Sequence, residues 1–292
     1  MALYGSVSDL QSLRIFYGIL SDTAWGVGVF MIINNQFESV ETAGKAAEII
    51  VNADGSREEA QCRVVREHFM DVYINEKLAV KLVCTPASLV ELVMGRMVSE
   101  GYIDGEDDVE SIYICNYGSK ARVFLKSNTV LQETVENEPT CCTGNQVLLT
   151  SAGRELQRLP QTDWKPEWIF ALAEEFAGGS RIHRATQGTH SCYLSVDGRI
   201  EYACEDIGRH NAMDKVIGYV VMHGIDREKC ILYTTGRVPT DMVKKVIASG
   251  IPVLVSKAVP TDAAIEMARR YNLTLICKAW PDRYEIFNDA EA

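Results

Sequence analysis

Short apolar runs alternate with capped amphipathic helices between Pro166 and Cys277, and this alternation is the strongest constraint the sequence places on its fold. Residues 166–177 read as a helix, with proline in the first turn and Gly178-Gly179 after it. Residues 192–196 and 200–203 flank Asp197-Gly198, the pattern of a hairpin. In 211–223, Met213, Val216, Ile217, Val220 and Val221 form one stripe, closed by Gly224. A strand at 230–234 leads to a helix capped by Thr240, carrying Met242, Val243, Val246 and Ile247 and closed by Gly250. A strand at 252–256, a helix capped by Thr261 and a strand at 273–277 complete the series. Strands and helices of these lengths in alternation make βαβ units, so an α/β fold is expected, its sheet partly parallel and covered on both faces.

Upstream, 72–74 and 77–83 read as a hairpin around Asn75-Glu76. An amphipathic helix follows, with Leu89, Leu92, Val93 and Met97 at helical spacing and Gly101 as its stop. Residues 111–115 and 121–125 read as paired strands, and the acidic stretch 132–138 as an exposed loop. It leads into Pro139-Thr140-Cys141-Cys142-Thr143-Gly144-Asn145-Gln146. A polar connection at 157–164 marks a boundary. Nearer the start, 25–33 look strand-like and 42–51 read as a short helix stopped by 52–55, with no motif. The expected organisation is an unassigned extension over 1–60, a smaller β-rich α+β domain over 61–160, and an α/β domain over 161–292.

Composition removes several functions. Asp and Glu number 40 against 29 Lys and Arg, a balance that disfavours wide contact with nucleic acid or anionic membrane while allowing a local basic pocket. No run is apolar over the roughly 18 residues a span needs, and 1–22 lacks the basic-then-apolar pattern of a secretory signal. A cytoplasmic protein is expected. Nine cysteines, an odd number, read mostly as reduced buried thiols, with Cys84, Cys115, Cys204, Cys230 and Cys277 in apolar surroundings.

The densest polar cluster is Glu205-Asp206-Ile207-Gly208-Arg209-His210-Asn211, with Asp214 and Lys215 beyond it, between an apolar strand and a helix. Such a junction offers backbone N–H groups and a favourable dipole to anions. Arg209 has a planar fork for phosphate or a purine edge, and His210 can move a proton. The alternative is a charged loop with Asn211 as an ordinary N-cap. Two more polar strand ends, Thr235-Gly236-Arg237 and Ser256-Lys257, favour a ligand site, because open α/β sheets bind ligands beyond the carboxyl ends of their strands. His190 and Cys192 lack companions at metal-ligand spacing, and neither a zinc-deaminase signature nor a nucleotide glycine motif occurs. Cys141 and Cys142 stand in a polar, glycine-containing segment, where a thiol can ionise and act as a nucleophile. An incidental buried pair is the plain alternative, and a strained vicinal disulfide a third.

Gly188-Thr189-His190, the unbroken run from Glu205 through Ala212-Met213-Asp214 to Lys215, and Thr235-Gly236-Arg237 with Met242-Val243 resemble the formate dehydrogenase accessory sulfurtransferases, the FdhD family. Gly250-Ile251-Pro252-Val253-Leu254, Ala258-Val259-Pro260-Thr261 and Leu273-Thr274-Leu275 extend the likeness, as do Cys84-Thr85-Pro86 and Ser99-Glu100-Gly101-Tyr102-Ile103. It covers residues 72–287. The resemblance implies a three-layer, cytidine-deaminase-like C-terminal domain with a mixed sheet and no zinc. It implies a sulfurtransferase, usually a homodimer. The sulfur comes as a persulfide from a cysteine desulfurase and goes to the bis-molybdopterin guanine dinucleotide cofactor of molybdenum or tungsten, bound as substrate and destined for the formate dehydrogenase catalytic subunit. GDP is a possible mimic of that ligand.

The resemblance also implies the roles of residues. Cys142 aligns with the first relay cysteine, with Cys141 as the fallback, and Gly144 and Asn145 stand where a second cysteine is common. The cofactor pocket is implied to include Lys278, Ala279, Trp280, Pro281, Asp282 and Arg283, with Trp280 and Pro281 where arginine and glycine are common. Arg209, His210, Arg237 and Lys257 would hold phosphates and guanine with Thr235 nearby, and Glu205 and Asp214 would orient them or accept guanine N–H bonds. A cofactor-binding chaperone without sulfur chemistry fits the same pocket. A deaminase-like enzyme is disfavoured by the missing zinc signature.

Overall fold

The computed structural model describes residues 31–126, 131–137, 144–151 and 155–290. Strands β1 (Ile32–Asn35), β2 (Ala43–Val51), β3 (Arg57–Val65), β4 (His68–Ile74) and β5 (Lys77–Cys84) precede helix α1 (Leu89–Ser99). Strands β6 (Val109–Ile114), β7 (Lys120–Leu125), β8 (Leu131–Asn137) and β9 (Gln146–Ser151) follow. Next come α2 (Pro166–Gly179), α3 (Arg181–Thr186), β10 (His190–Val196), β11 (Arg199–Asp206) and α4 (Arg209–Met222). The chain then runs through β12 (Cys230–Thr234), α5 (Thr240–Ser249), β13 (Val253–Ser256), α6 (Asp262–Tyr271), β14 (Thr274–Trp280) and β15 (Arg283–Asn288).

The C-terminal sheet has the order β11-β10-β12-β13-β14-β15. β12, β13 and β14 run parallel, and β10, β11 and β15 join antiparallel, so the sheet is mixed. Its two faces are both covered. Ile169, Leu172 and Ala173 of α2 pack on Tyr193, Tyr233, Val255 and Ile276. On the other face α4, α5 and α6 cover Cys192, Leu194, Leu254 and Leu275. This is the three-layer α/β arrangement expected from the alternation.

The N-terminal sheet has the order β1-β6-β7-β4-β5-β9-β8. Its hairpin between β4 and β5 turns through Asn75 and Glu76, both at positive φ, which matches the twist of the flanking strands. Two stretches differ from expectation. Residues 42–51 hold strand β2 rather than a helix: β2 pairs with β3 from Ala43↔Val65 to Val51↔Arg57, and the branched Ile49-Ile50-Val51 run favours a pleated chain. Of the expected loop over 132–138, residues 132–137 belong instead to β8, which pairs with β9, and residue 138 lies outside the described residues. Strand β3 runs through residue 60.

The apolar interior is continuous between the two sheets. Val72, Leu92, Met97 and Ile112 belong to one cluster with Met213, Val216, Val246 and Leu275. At its centre α1 crosses α4 at backbone contact. A Cβ added to Gly95 would lie 1.7 Å from the Asp214 carbonyl oxygen, and one added to Gly218 would lie 1.8 Å from the Glu91 carbonyl oxygen. Helix α4 is therefore enclosed on every side, with all residues from Arg209 to Gly218 buried.

Candidate functional site: the strand-end edge and the network behind it

The register of the C-terminal sheet gathers most of the expected site residues at one edge. The parallel strands β12, β13 and β14 end there. β10 begins beside them, because Cys192 pairs with Thr234, and β11 finishes there, because Asp206 pairs with His190. Helices α4 and α5 start at the same edge, with their N-terminal N–H groups. Gly236 makes this convergence possible: a Cβ on it would come within 2.9 Å of the Arg209 Cβ and Cδ.

At this edge the Thr235 Oγ1 accepts the Ser191 N–H at 3.0 Å, pinning β12 to β10. Arg237 is exposed. The Lys257 ammonium sits 4.7 Å from the Phe176 ring centroid and 5.4 Å from that of Trp280, whose indole is 41% exposed. A cation against two aromatic faces is a surface on which a flat base or an anionic group can rest. Lys278 to Arg283 form the end of β14, a turn and the start of β15, a hairpin the sequence pattern did not reveal. Within it Lys278 pairs with Glu285 at 2.7 Å, the buried Ala279 carbonyl accepts the Tyr233 hydroxyl at 3.1 Å, and Pro281, Asp282 and Arg283 are exposed.

Arg209 and His210 are buried in the first turn of α4, and His210 Nε2 lies 3.0 Å from the Asp241 carboxylate at the start of α5. His190 belongs to the same cluster. Burial, then the nearby Arg209 and His183, lower its imidazole to a pKa of about 4. The edge therefore gathers cationic or proton-accepting groups in a chain whose net charge is −11.

Two expected members serve elsewhere. The Glu205 carboxylate accepts the Ile182 and His183 N–H groups at 2.8 and 2.7 Å and the Thr189 hydroxyl at 3.0 Å, so it caps α3. Asp214 does not reach the edge. It lies one helical turn further along α4, fully buried, with Arg96 Nη1 at 3.0 Å, the Ser99 hydroxyl at 2.7 Å and Lys245 Nζ at 3.3 Å. Asn211 is no N-cap either, because Gly208 takes that position.

The remaining polar residues of the 205–215 run face the N-terminal sheet. The Asp206 Oδ2 accepts the Thr85 N–H at 3.0 Å and its hydroxyl at 3.0 Å, and pairs with Lys215 Nζ at 2.7 Å. Burial, the largest single influence, works to lower the Lys215 pKa, but Asp206, Cys84 and Cys204 together raise it and the ammonium is held. The Asp206 Oδ1 accepts the Gly208 N–H and Asn211 Nδ2, both at 2.9 Å. The Asn211 Nδ2 also donates to the Val83 carbonyl at 2.7 Å, and its Oδ1 accepts Asn145 Nδ2 at 2.8 Å. The Asn145 Oδ1 accepts the Val83 N–H at 2.9 Å. Sequence reasoning missed this use of Thr85, Asn145 and Asn211; the dense polar content of an otherwise apolar helix was the available signal.

Cys141 and Cys142 lie outside the described residues. Burial pushes the thiols of Cys192, Cys230 and Cys277 up to about 12, and raises Cys84 and Cys204 as well, so these five are inert. Cys115 departs from the buried expectation. It is half-buried in the β6–β7 turn, where burial acts to raise its thiol but the Ser119 hydroxyl and the N–H groups of Lys120, Tyr117 and Ser119 together outweigh burial and lower it. Among the described residues no group of three or more His, Cys, Asp or Glu could hold a metal ion, and no helix is long and apolar enough to cross a membrane.

A mixed, three-layer sheet whose parallel strand ends gather polar and cationic side chains, locked to a second β-rich sheet through one buried helix, defines an α/β protein of two joined sheets. Residues 65–292 match the model of the FdhD/NarQ family, and the chain belongs to that family. The sulfur carrier protein FdhD of Listeria monocytogenes serotype 4b (strain F2365) is 28% identical over 244 residues, covering 81% of this chain and 94% of the relative. The sulfur carrier protein FdhD of Wolinella succinogenes is 30% identical over 230 residues, covering 77% and 80%. A crystal structure from Desulfotalea psychrophila, assigned as a formate dehydrogenase accessory protein, has the same fold, with a TM-score of 0.70 at 24% identity over 86% of this chain and 99% of that one.

Proposed function

We propose that this chain is a sulfur carrier that serves formate dehydrogenase. A thiolate at Cys142, or at Cys141, attacks the outer sulfur of a cysteine desulfurase persulfide. The S–S bond of the donor breaks, the desulfurase leaves as a thiolate, and the carrier cysteine holds the persulfide. The persulfide S–S bond then breaks, the carrier cysteine is left as a thiolate, and the outer sulfur passes to a bis-molybdopterin guanine dinucleotide cofactor, bound as substrate at the strand ends. The reduced molybdenum or tungsten of that substrate gives the two electrons that make the sulfur a sulfido ligand.

One observation carries this reading: the strand ends and the first turn of α4 gather Arg209, Thr235, Arg237, Lys257 and Trp280 at one edge. The residue types fit the ligand. Helix N-termini and the Arg237 guanidinium suit diphosphates, and the Lys257–Trp280 surface suits a purine. The sulfur carrier names of the relatives support the chemistry.

Incubation with a desulfurase and cysteine, followed by peptide mass spectrometry, tests the proposal. One added sulfur atom on Cys141 or Cys142 is expected. No adduct there, or an adduct on Cys115 alone, would sink the carrier role. A cofactor chaperone is the second reading, favoured by Gly144 and Asn145 standing where a second relay cysteine is common. Full formate dehydrogenase activation by a C141S/C142S variant would establish it instead.

A further inference from the structure

Only one side of the 205–215 run faces the strand-end edge. Arg209 packs on Gly236 and His210 meets Asp241. Asp206, Asn211 and Lys215 turn away from it, toward β5 and the residue just before β9. The proposed chemistry uses none of these three.

Their geometry is that of a fastening. The pairing of β5 with β9 runs through Val80↔Val147 and Lys81↔Gln146. Past that point two asparagine side chains continue the ladder. The Asn145 Oδ1 takes the Val83 N–H and the Asn211 Nδ2 gives to the Val83 carbonyl, while the two amides join each other at 2.8 Å. Both side chains are fully buried, and the hydrogen bonds form a closed ring. An apolar contact would tolerate sliding. A ring of this kind has one register, because a shift leaves buried amide groups without partners. Asp206 ties the ring to the N-cap of α4 through the Gly208 N–H. A single helical turn thus carries Arg209 on its strand-end side and Asn211 on its fastening side.

We propose that Asn145 and Asn211 are positioning residues: their pair holds Asn145 in one register against the first turn of α4, and so governs delivery of carried sulfur to a ligand at the strand ends. This rests on the sulfur-carrier reading. It predicts that ligand at the strand ends and reactivity of the carrier thiols are coupled through the pair.

The test uses the full chain with GDP as probe. In the unaltered protein, saturating GDP is expected to change the rate at which iodoacetamide alkylates Cys141 and Cys142 by about fivefold or more. In Asn145→Ala and Asn211→Ala the GDP effect should disappear. GDP affinity by calorimetry and persulfide loading by mass spectrometry should stay near the unaltered values. Activation of formate dehydrogenase should fall about tenfold or more, because misplacement affects delivery rather than loading. Asn145→Ser, which can still give and accept a hydrogen bond, should restore part of the coupling.

GDP that binds without altering alkylation of the unaltered chain overturns the positioning role alone. So does either alanine variant that keeps both the GDP effect and full activation. No GDP binding at all overturns the positioning role together with the strand-end ligand site of the proposed function, whereas the carrier role stands or falls on persulfide loading. The unaltered chain gives a decisive result even if a variant does not fold.

Discussion

Helix α4 carries two buried polar networks that differ in what they join. The first, through Asp206, Asn211 and Lys215, has one buried ion pair, Asp206–Lys215, and is otherwise made of hydrogen bonds to backbone groups and amides: Val83, Thr85, Gly208 and Asn145. The second surrounds Asp214 and is ionic. Arg96 and Lys245 are its cations, Asp214 and Glu100 its anions, and Ser99 bridges Asp214 and Lys245. The first ends at the strand-end edge and at the segment following the cysteines. The second fastens three helices near the α1–α4 crossing. Directional bonds to backbone define a register, whereas a charge cluster mainly resists separation. The difference assigns one network to placement and the other to cohesion.

The largest effect expected from breaking that contrast is at Asp214. Asp214→Ala leaves Arg96 and Lys245 buried with one anion fewer and should cost about 3–5 kcal/mol in chemical denaturation. At temperatures where the variant is still folded, GDP affinity should be unchanged. Lost GDP binding in folded protein would place Asp214 in the ligand site after all.

A smaller effect follows from His190, which opens β10 opposite Asp206 and interacts with Arg209 and His210. Its folded pKa of about 4 lies below the ordinary value of 6.5. Between those values the unfolded chain binds more protons than the folded one, so stability falls as pH drops through that window. The loss should be on the order of 2–3 kcal/mol by pH 4, and His190→Asn should flatten that part of the pH profile. An equal acid slope in the variant would show that other groups carry it.

The smallest stability effect belongs to the strand-end surface. Lys257→Ala should shift unfolding by no more than about 0.5 kcal/mol, yet weaken GDP binding measurably by calorimetry. Unchanged affinity would remove Lys257 from the ligand surface.

The C-terminal architecture was legible because strand and helix periods, glycine stops and threonine caps agreed along 166–277. Thr261 does cap α6, accepting the Ala264 N–H at 3.3 Å, although Thr240 is the first residue of α5 and its side chain caps nothing. The strand ends were legible by the same logic, since a sheet that keeps its parallel strands in register must bring Thr235 and Lys257 together. Other features were hidden for physical reasons. β8 is an edge strand, and edge strands carry the charges that also mark loops. Glu205 caps a helix of six residues, too short to show a period. Asp214 was misplaced because a helix enclosed on all sides gives its polar residues no solvent face to point to. Asn145 could not be read at all, for its partner is 66 residues away.

The glycine crossing of α1 and α4 bears on how such a chain can be inherited. Suppose a recombination event exchanged everything after residue 160 with a distant relative. The incoming α4 would have to find glycine opposite Glu91, and the resident α1 would have to find a backbone carbonyl, not a side chain, opposite Gly95. Thr85 and Asn145 would have to meet a matching aspartate and asparagine. The two halves thus fit only where these residues match, and chimeras should fold only between parents that already share them.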